Sequence, residues 1–230
     1  MAFTGSTPRR AGNWDLLSNL SPDCAAALQS RCKQRDVSAG KTLWSQGSPA
    51  DYIAIILTGK MMSLYEARNG RCGTIGFWGA GDIIGLGDIG ERHKRQNTAR
   101  CLASSSVLTL SFEQLDQFII DFPEFALALA KALSVRLNWV TRLALVLEAG
   151  SAMERICTVL LALAERYGEQ QADGIHININ LTQEQLAAIA GVTRQFAHST
   201  LKTLREKGVL TGNRELILTD IPTIELLAFY

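Results

Sequence analysis

The segment from residue 181 to residue 210, LTQEQLAAIAGVTRQFAHSTLKTLREKGVL, restricts the fold more than any other part of the chain. Thr182 and Gln185 stand at the S/T-x-x-E/Q spacing in which two side chains satisfy the free N–H groups of a helix start, so a helix is expected to begin there. It carries Leu186, Ala187, Ile189 and Ala190 toward Gly191, which supplies a turn. Thr193 then caps a second helix whose Ala197, Thr200, Leu201 and Leu204 recur at i, i+3, i+4 and i+7 and form a buried stripe. Arg194, Gln195, His198, Ser199 and Lys202 gather on the opposite face. A helix of that width fits the DNA major groove, where such side chains reach base edges and phosphates. The pair therefore reads as a helix-turn-helix, and not as a plain αα-hairpin packed on a core.

The residues downstream of the helix pair support that reading. Val209-Leu210, the turn residues Thr211-Gly212-Asn213-Arg214, and Leu216-Ile217-Leu218 have the pattern of strand, turn and strand, a wing beside the two helices. Residues 181–214 hold five positive side chains, Arg194, Lys202, Arg205, Lys207 and Arg214, against Glu184 and Glu206, whereas the whole chain is only +1. Positive charge is thus concentrated where phosphate contacts would be made.

The chain has 230 residues, 47% of them hydrophobic, enough for one large or two small packed domains. No window is apolar for the roughly 18 residues a bilayer span needs, and residues 1–13 lack a signal-peptide core. Five scattered cysteines, Cys24, Cys32, Cys72, Cys101 and Cys157, suit reduced thiols in a cytoplasm better than a disulfide framework.

From residue 37 to residue 110, short apolar runs at residues 52–57, 61–65, 74–78 and 107–110 alternate with glycine-bearing turns, the punctuation of an antiparallel barrel or sandwich. Gly40, Gly47, Gly59, Gly70, Gly79, Gly81 and Gly85 are the expected corners. A helical segment is expected before it, over residues 14–35. After it, Pro123 opens a helix that runs to about Glu148 without interruption. Ala126, Ala130, Leu133, Leu137, Val140, Ala144 and Leu147 form a heptad seam in that helix. A second stripe, Phe125, Leu129, Ala132, Trp139, Leu143 and Val146, is broken only by Arg136. One stripe suits the barrel and the other a partner helix, and a helix-turn-helix reading two half-sites calls for a two-fold dimer.

Barrel, heptad helix and winged helix-turn-helix in this order resemble the Crp/Fnr superfamily of bacterial transcription regulators. The resemblance runs from residue 14 onward, through Ala39-Gly-Lys-Thr-Leu-Trp-Ser-Gln-Gly47, Leu57-Thr-Gly59 and Phe77-Trp-Gly-Ala-Gly-Asp-Ile-Ile-Gly85. It implies an α+β protein. Residues 1–122 would form an N-terminal helical segment and a cyclic-nucleotide-binding-like β-roll or barrel, residues 123–149 a dimerisation helix, and residues 150–230 a winged helix-turn-helix. In the family a small hydroxyl residue, Arg and then Glu or Gln open the recognition helix, and here these are Thr193-Arg194-Gln195. By similarity Arg194 reads guanine and Gln195 a neighbouring base, with Ser199 at a third base-facing position often held by Arg. Thr182, Phe196, His198 and Lys202 complete the DNA-facing set, with Phe196 and His198 either touching DNA or simply exposed.

The implied effector pocket, Gly85, Leu86, Asn97, Thr98 and Thr141, departs from the family pattern. Nucleotide-binding members grip the ribose with Gly-Glu and the cyclic phosphate with Arg-Ser/Thr-Ala; here the pairs read Gly85-Leu86 and Asn97-Thr98-Ala99. Leu removes a hydroxyl acceptor and Asn removes the charge-assisted fork that matches a phosphate. A conventional cyclic-nucleotide site is therefore not expected, unless Arg100 or the basic run over residues 91–95 supplies a substitute cation; that run reads otherwise as a solvated loop tip. An iron–sulfur cluster has no CxxC to hold it. Haem has only His93, His176 and His198 to draw on, of which His198 belongs to the DNA face and the other two read as plain surface residues. The cofactor is thus left unknown.

Gly85-Leu86-Gly87-Asp88-Ile89-Gly90 matches G-x-G-x-x-G, yet no apolar helical stripe comes after it, so a dinucleotide site is not expected. No nucleophile elbow, phosphate-cradling loop or metal-spaced histidine pair is present, and no enzyme is expected. The expectation is a homodimeric, sequence-specific regulator of palindromic operator DNA that answers an unidentified signal, with RNA polymerase as a further partner implied by the family. A cyclic-nucleotide-responsive regulator with a non-standard pocket, and a ligand-binding or protein-interaction module that does not use its helix-turn-helix, are the alternatives.

Overall fold

The computed structural model describes residues 15–70, 72–90, 93–179, 181–212 and 215–228. The helical segment expected over residues 14–35 is a 3₁₀ turn at Leu17–Asn19 and helix α1 at Pro22–Arg31, and it ends earlier than expected, in strand β1 at Lys33–Val37. The break comes from Ser21 and Pro22. The Ser21 hydroxyl accepts from the Cys24 N–H at 3.2 Å and proline takes the first helical position, so a new helix starts there. Past Arg31 the chain is captured by a ladder, Lys33 to Val37 pairing antiparallel with residues of strand β6, Thr98–Ser111.

Between them lie β2 (Thr42–Trp44), β3 (Tyr52–Glu66), β4 (Cys72–Gly79) and β5 (Ile83–Ile84). Among the described residues the sheet runs β1-β6-β3-β4, with β2 on β6 and β5 on β3, all antiparallel. Gly59, an expected corner, is instead inside β3, which continues from Tyr52 to Glu66. The register against β6 shifts on both sides of it, and a Cβ at Gly59 would lie 2.2 Å from the Ser105 Oγ. Its φ of +94° makes it a bulge that lets two long strands coil tightly.

The Ser111 hydroxyl and the Gln114 amide form a reciprocal cap on α2, Phe112–Asp121. Helix α3, Pro123–Ala149, comes directly after it, and the Phe118 ring meets those of Phe122 and Phe125 at 4.9 Å each. Phe125, Ala128 and Leu129 of α3 join Leu16, Leu28, Ile53 and Leu110 in one core. The stripe containing Phe125, Leu129 and Val146 thus packs on its own chain, as the heptad pattern suggests for one of its two faces.

The remaining elements are α4 (Ala152–Tyr167), β7 (Gly168–Gln171), β8 (Gly174–Ile177), α5 (Gln183–Ile189), α6 (Arg194–Glu206), β9 (Leu210–Thr211), β10 (Leu216–Leu218) and α7 (Ile221–Leu227). The second sheet has the order β7-β8-β10-β9. Its core, with Ile156, Leu160, Leu186, Leu201 and Leu204, also takes in Met62, Leu64 and Phe77 of the first sheet, so the two halves share apolar packing. Polar links reinforce it: the Tyr167 hydroxyl donates to the Phe77 carbonyl and Arg166 pairs with Asp82.

Candidate DNA-reading surface and sensor interior

The helix-turn-helix is built as its residues dictate. The Thr182 hydroxyl accepts from the Gln185 N–H at 3.1 Å, while the Gln185 side chain accepts from the Thr182 N–H at 2.9 Å. Gly191 turns the chain at φ +61°, where Arg155 also holds its carbonyl at 3.4 Å. Thr193 caps α6 by accepting from the Phe196 N–H at 3.2 Å. Ala197, Thr200, Leu201 and Leu204 are the buried residues of α6. At about 100° per residue they occupy one arc, and Arg194, Gln195, His198, Ser199 and Lys202 occupy the other, all exposed.

Not every polar group there is equally free. Ser199 donates its hydroxyl hydrogen to the Phe196 carbonyl at 2.9 Å, the His198 ring meets Gln183 at 3.1 Å, and Lys202 lies 3.7 Å from Glu206. Arg194 and Gln195 are bonded to no other described side chain. Phe196 is 40% exposed, a large ring left uncovered at the edge of this face. Arg205 donates to the Gly212 carbonyl at 2.9 Å and so ties α6 to the wing. The wing strands pair as expected, Ile217 with Thr211 and Leu218 with Leu210; turn residues 213 and 214 lie outside the described residues.

His176, read from sequence as a plain surface residue, is buried in β8. Its Nε2 lies 2.7 Å from Asp173 and its Nδ1 3.2 Å from Glu215. Two carboxylates only accept, so both contacts are made together by the protonated ring, which donates from both nitrogens. The hydrogen bond to Asp173, with help from Glu215, raises its pKa above the usual 6.5. A raised folded value means that this contribution to stability is complete below pH 6.5 and is lost as pH rises through the folded value. Thermal unfolding followed from pH 6 to 9 should show the melting temperature falling over that window, and His176→Gln should flatten the fall.

In the first sheet, Leu86 is buried in the core shared with α3, while Gly85, Asn97 and Thr98 are half-buried and Thr141 is exposed on α3. Thr98 accepts from the Gln46 N–H at 2.9 Å. The residues 85–90 that match a dinucleotide fingerprint make one 3₁₀ turn, Leu86–Asp88, with Gly85 at φ +87°. Within the basic run, the expectation of a solvated tip fails for Arg95. Its side chain is fully buried, 3.0 Å from Asp88, and donates to the Tyr52 carbonyl at 2.7 Å. Its guanidinium stacks over Trp44 at 3.9 Å and Tyr52 at 4.5 Å. A Cβ at Gly85 would stand 3.0 Å from this group, so glycine is needed beside it. His93 and Lys94 are exposed, and residues 91 and 92 lie outside the described residues. The sequence did hold a signal for Arg95: Asp88 is a lone carboxylate in a run of Ile, Leu and Gly, and a carboxylate buried there needs a cation.

The cysteines are free and dispersed; burial pushes the Cys32 and Cys157 thiols up to about 11. Among the described residues no group of three or more His, Cys, Asp or Glu is placed to hold a metal ion.

Residues 34–121 match the model of the cyclic nucleotide-binding domain, and residues 154–227 that of the Crp-like helix-turn-helix domain. The chain is 28% identical over 212 residues to the CRP-like cAMP-activated global transcriptional regulator of Mycobacterium tuberculosis, covering 92% of this chain and 93% of that protein. It is 26% identical over 186 residues to the global nitrogen regulator of Nostoc, covering 79% and 82%. The structure of FixK2 from Bradyrhizobium japonicum shares the fold, with a TM-score of 0.76 at 20% identity over 86% of this chain and 98% of that one. A β-roll joined through a long helix to a winged helix-turn-helix defines a DNA-binding transcription regulator. The chain belongs to the Crp/Fnr superfamily.

Proposed function

We propose that the protein acts as a homodimer that pairs along α3 and places two α6 helices in successive major grooves, about 34 Å apart, of a palindromic operator. One observation carries this reading, the apolar stripe that α3 leaves uncovered. Ala126, Ala130, Leu133, Leu137, Val140, Ala144 and Leu147 fall within an arc of roughly 100°. Leu133, Leu137 and Val140 are 43%, 66% and 48% exposed, while Phe125, Leu129 and Val146 on the neighbouring stripe are buried. A continuous apolar seam of heptad spacing is stable in water only when covered, and a second α3 has the matching spacing.

In this arrangement Arg194 and Gln195 read bases, Ser199 faces a third base, and Thr182, Thr193, His198 and Lys202 make polar contacts to the backbone, with Phe196 beside them. The barrel serves as a sensor without the usual cyclic-nucleotide contacts. Leu86 faces core, Asn97 carries no charge, and the cation buried beside them, Arg95, is already neutralised by Asp88. The signal shifts the balance between packings of α3, and so the spacing of the α6 helices. Regulation without catalysis, in a cytoplasm that keeps the five thiols free, fits this reading. No helix among the described residues is long and apolar enough to cross a membrane.

Leu137→Glu places a carboxylate in the seam and should give a monomer by sedimentation, with its circular dichroism unchanged. Loss of bivalence should then weaken binding to a palindromic duplex selected from a random pool by about 10²-fold. A variant that stays dimeric and binds like the parent would overturn the proposal.

A further inference from the structure

Arg136 interrupts the inward stripe of α3, and the DNA-reading function gives it no role. It lies at a cavity of about 520 Å³ where the two halves of the molecule meet, walled by Phe77 and Trp78 of β4, Val135 and Trp139 of α3, and Leu163 of α4. Ile189 and Ile221 add walls from the DNA-binding half. That volume lies in the range of small-molecule sites, and a mostly apolar lining with few fixed polar groups is their usual character.

The charges at the cavity are unevenly satisfied. Arg166 pairs with Asp82, and Arg142 lies 3.7 Å from Glu165 in an exposed pair. Glu225 is exposed on α7. Arg136 has no carboxylate partner among the described residues. Its guanidinium is held by a 2.9 Å hydrogen bond to the Ile83 carbonyl and lies 4.1 Å over the Trp78 ring, itself fixed by a 2.7 Å bond from Nε1 to Ser63. The carbonyl takes only part of a five-donor fork. Burial lowers the Arg136 pKa to about 10, which still leaves it a cation at neutral pH, without a counter-ion and at the wall of an apolar space. On α3, the lining residues Val135 and Trp139 point roughly 125–170° away from the centre of the Leu133–Leu137–Val140 stripe and Arg136 roughly 70°, at the stripe's edge, so pairing along that stripe leaves the wall formed by Val135 and Trp139 in place.

We propose that this cavity binds an amphiphilic organic monoanion, a carboxylate with an apolar alkyl or aryl body, whose charged end pairs with Arg136 while its body lies against Trp78 and Trp139. A carboxylate accepts two hydrogen bonds from a guanidinium fork, which supplies both the missing counter-charge and the geometry. Because the barrel, α3 and the DNA-binding half all line the space, an occupant touches each of them at once. The inference stands apart from how α6 reads DNA, and its test measures binding alone.

Calorimetric titration of the full chain with decanoate and with decan-1-ol, both below their aggregation limits, separates charge from apolar burial. Decanoate should bind at one site per chain and at least about tenfold more tightly than the alcohol, the margin expected of a charge-assisted pair. Arg136→Gln should bring decanoate down to the level of decan-1-ol and leave the alcohol unchanged. Ala162→Phe, which fills the space from α4 and leaves Arg136 in place, should weaken both. Absence of saturable decanoate binding, equal affinity for the two probes, or undiminished binding to Ala162→Phe would each overturn the site.

Discussion

Asp88→Ala is expected to destabilise the protein by about 3–5 kcal/mol, the usual effect of removing one partner from a buried ion pair. Asp88 and Arg95 are both shut off from solvent at 3.0 Å, and Asp88 also accepts from the Gln96 N–H at 3.2 Å. Without the carboxylate, the guanidinium keeps the Tyr52 carbonyl and the faces of Trp44 and Tyr52 but has no near counter-charge within the interior; Asp51 stands 3.8 Å away and is largely in solvent. For a chain of this length, roughly 2–4 °C per kcal/mol corresponds to a fall of about 6–20 °C in melting temperature. The double substitution Asp88→Leu with Arg95→Met should recover most of the loss, because a buried pair exchanged for apolar groups of similar volume is often close to neutral. A loss below about 1 kcal/mol in the single variant would show that the pair does not hold the barrel together.

Arg194→Ala should weaken binding to the preferred duplex by about 1–3 kcal/mol, or roughly 5- to 150-fold, and relax selectivity at one base position. Arg194 is the first residue of α6, exposed and bonded to no other described side chain, so its two-pronged fork is free to meet the O6 and N7 acceptors of guanine. Lys202→Ala is the control. Eight residues further on the same face, it should weaken all duplexes about equally and reduce the slope of log affinity against log salt by about one. Fluorescence anisotropy at several salt concentrations distinguishes the two. Unchanged affinity and selectivity in Arg194→Ala would remove the DNA-reading role from this face.

Much of the DNA-binding half was legible in the chain because its signals are local. The caps at Thr182 and Thr193 and the stripe from Ala197 to Leu204 each involve residues within about two helical turns, and the structure places both helices where those signals put them. Strand β1 was not legible. Its five residues, Lys33 to Val37, show no alternation of apolar and polar side chains, and four are exposed; they are a strand because they pair with β6, about seventy residues away. Gly59 illustrates the same limit, since an isolated glycine between two apolar runs marks a turn or a bulge equally well. Only the β6 partner decides between them.

The amino-acid sequence by itself determined the order of parts, the helix starts, the heptad stripes and the residues that α6 exposes, because these depend on hydrogen bonds and periodicity over a few residues. Tertiary structure alone decided which charges lie inside: Arg95 against Asp88, His176 between Asp173 and Glu215, and Arg136 at the cavity between the two halves. Desolvation is set by whatever distant segments close over a group, and a charge removed from water must find its partner in that same assembled interior.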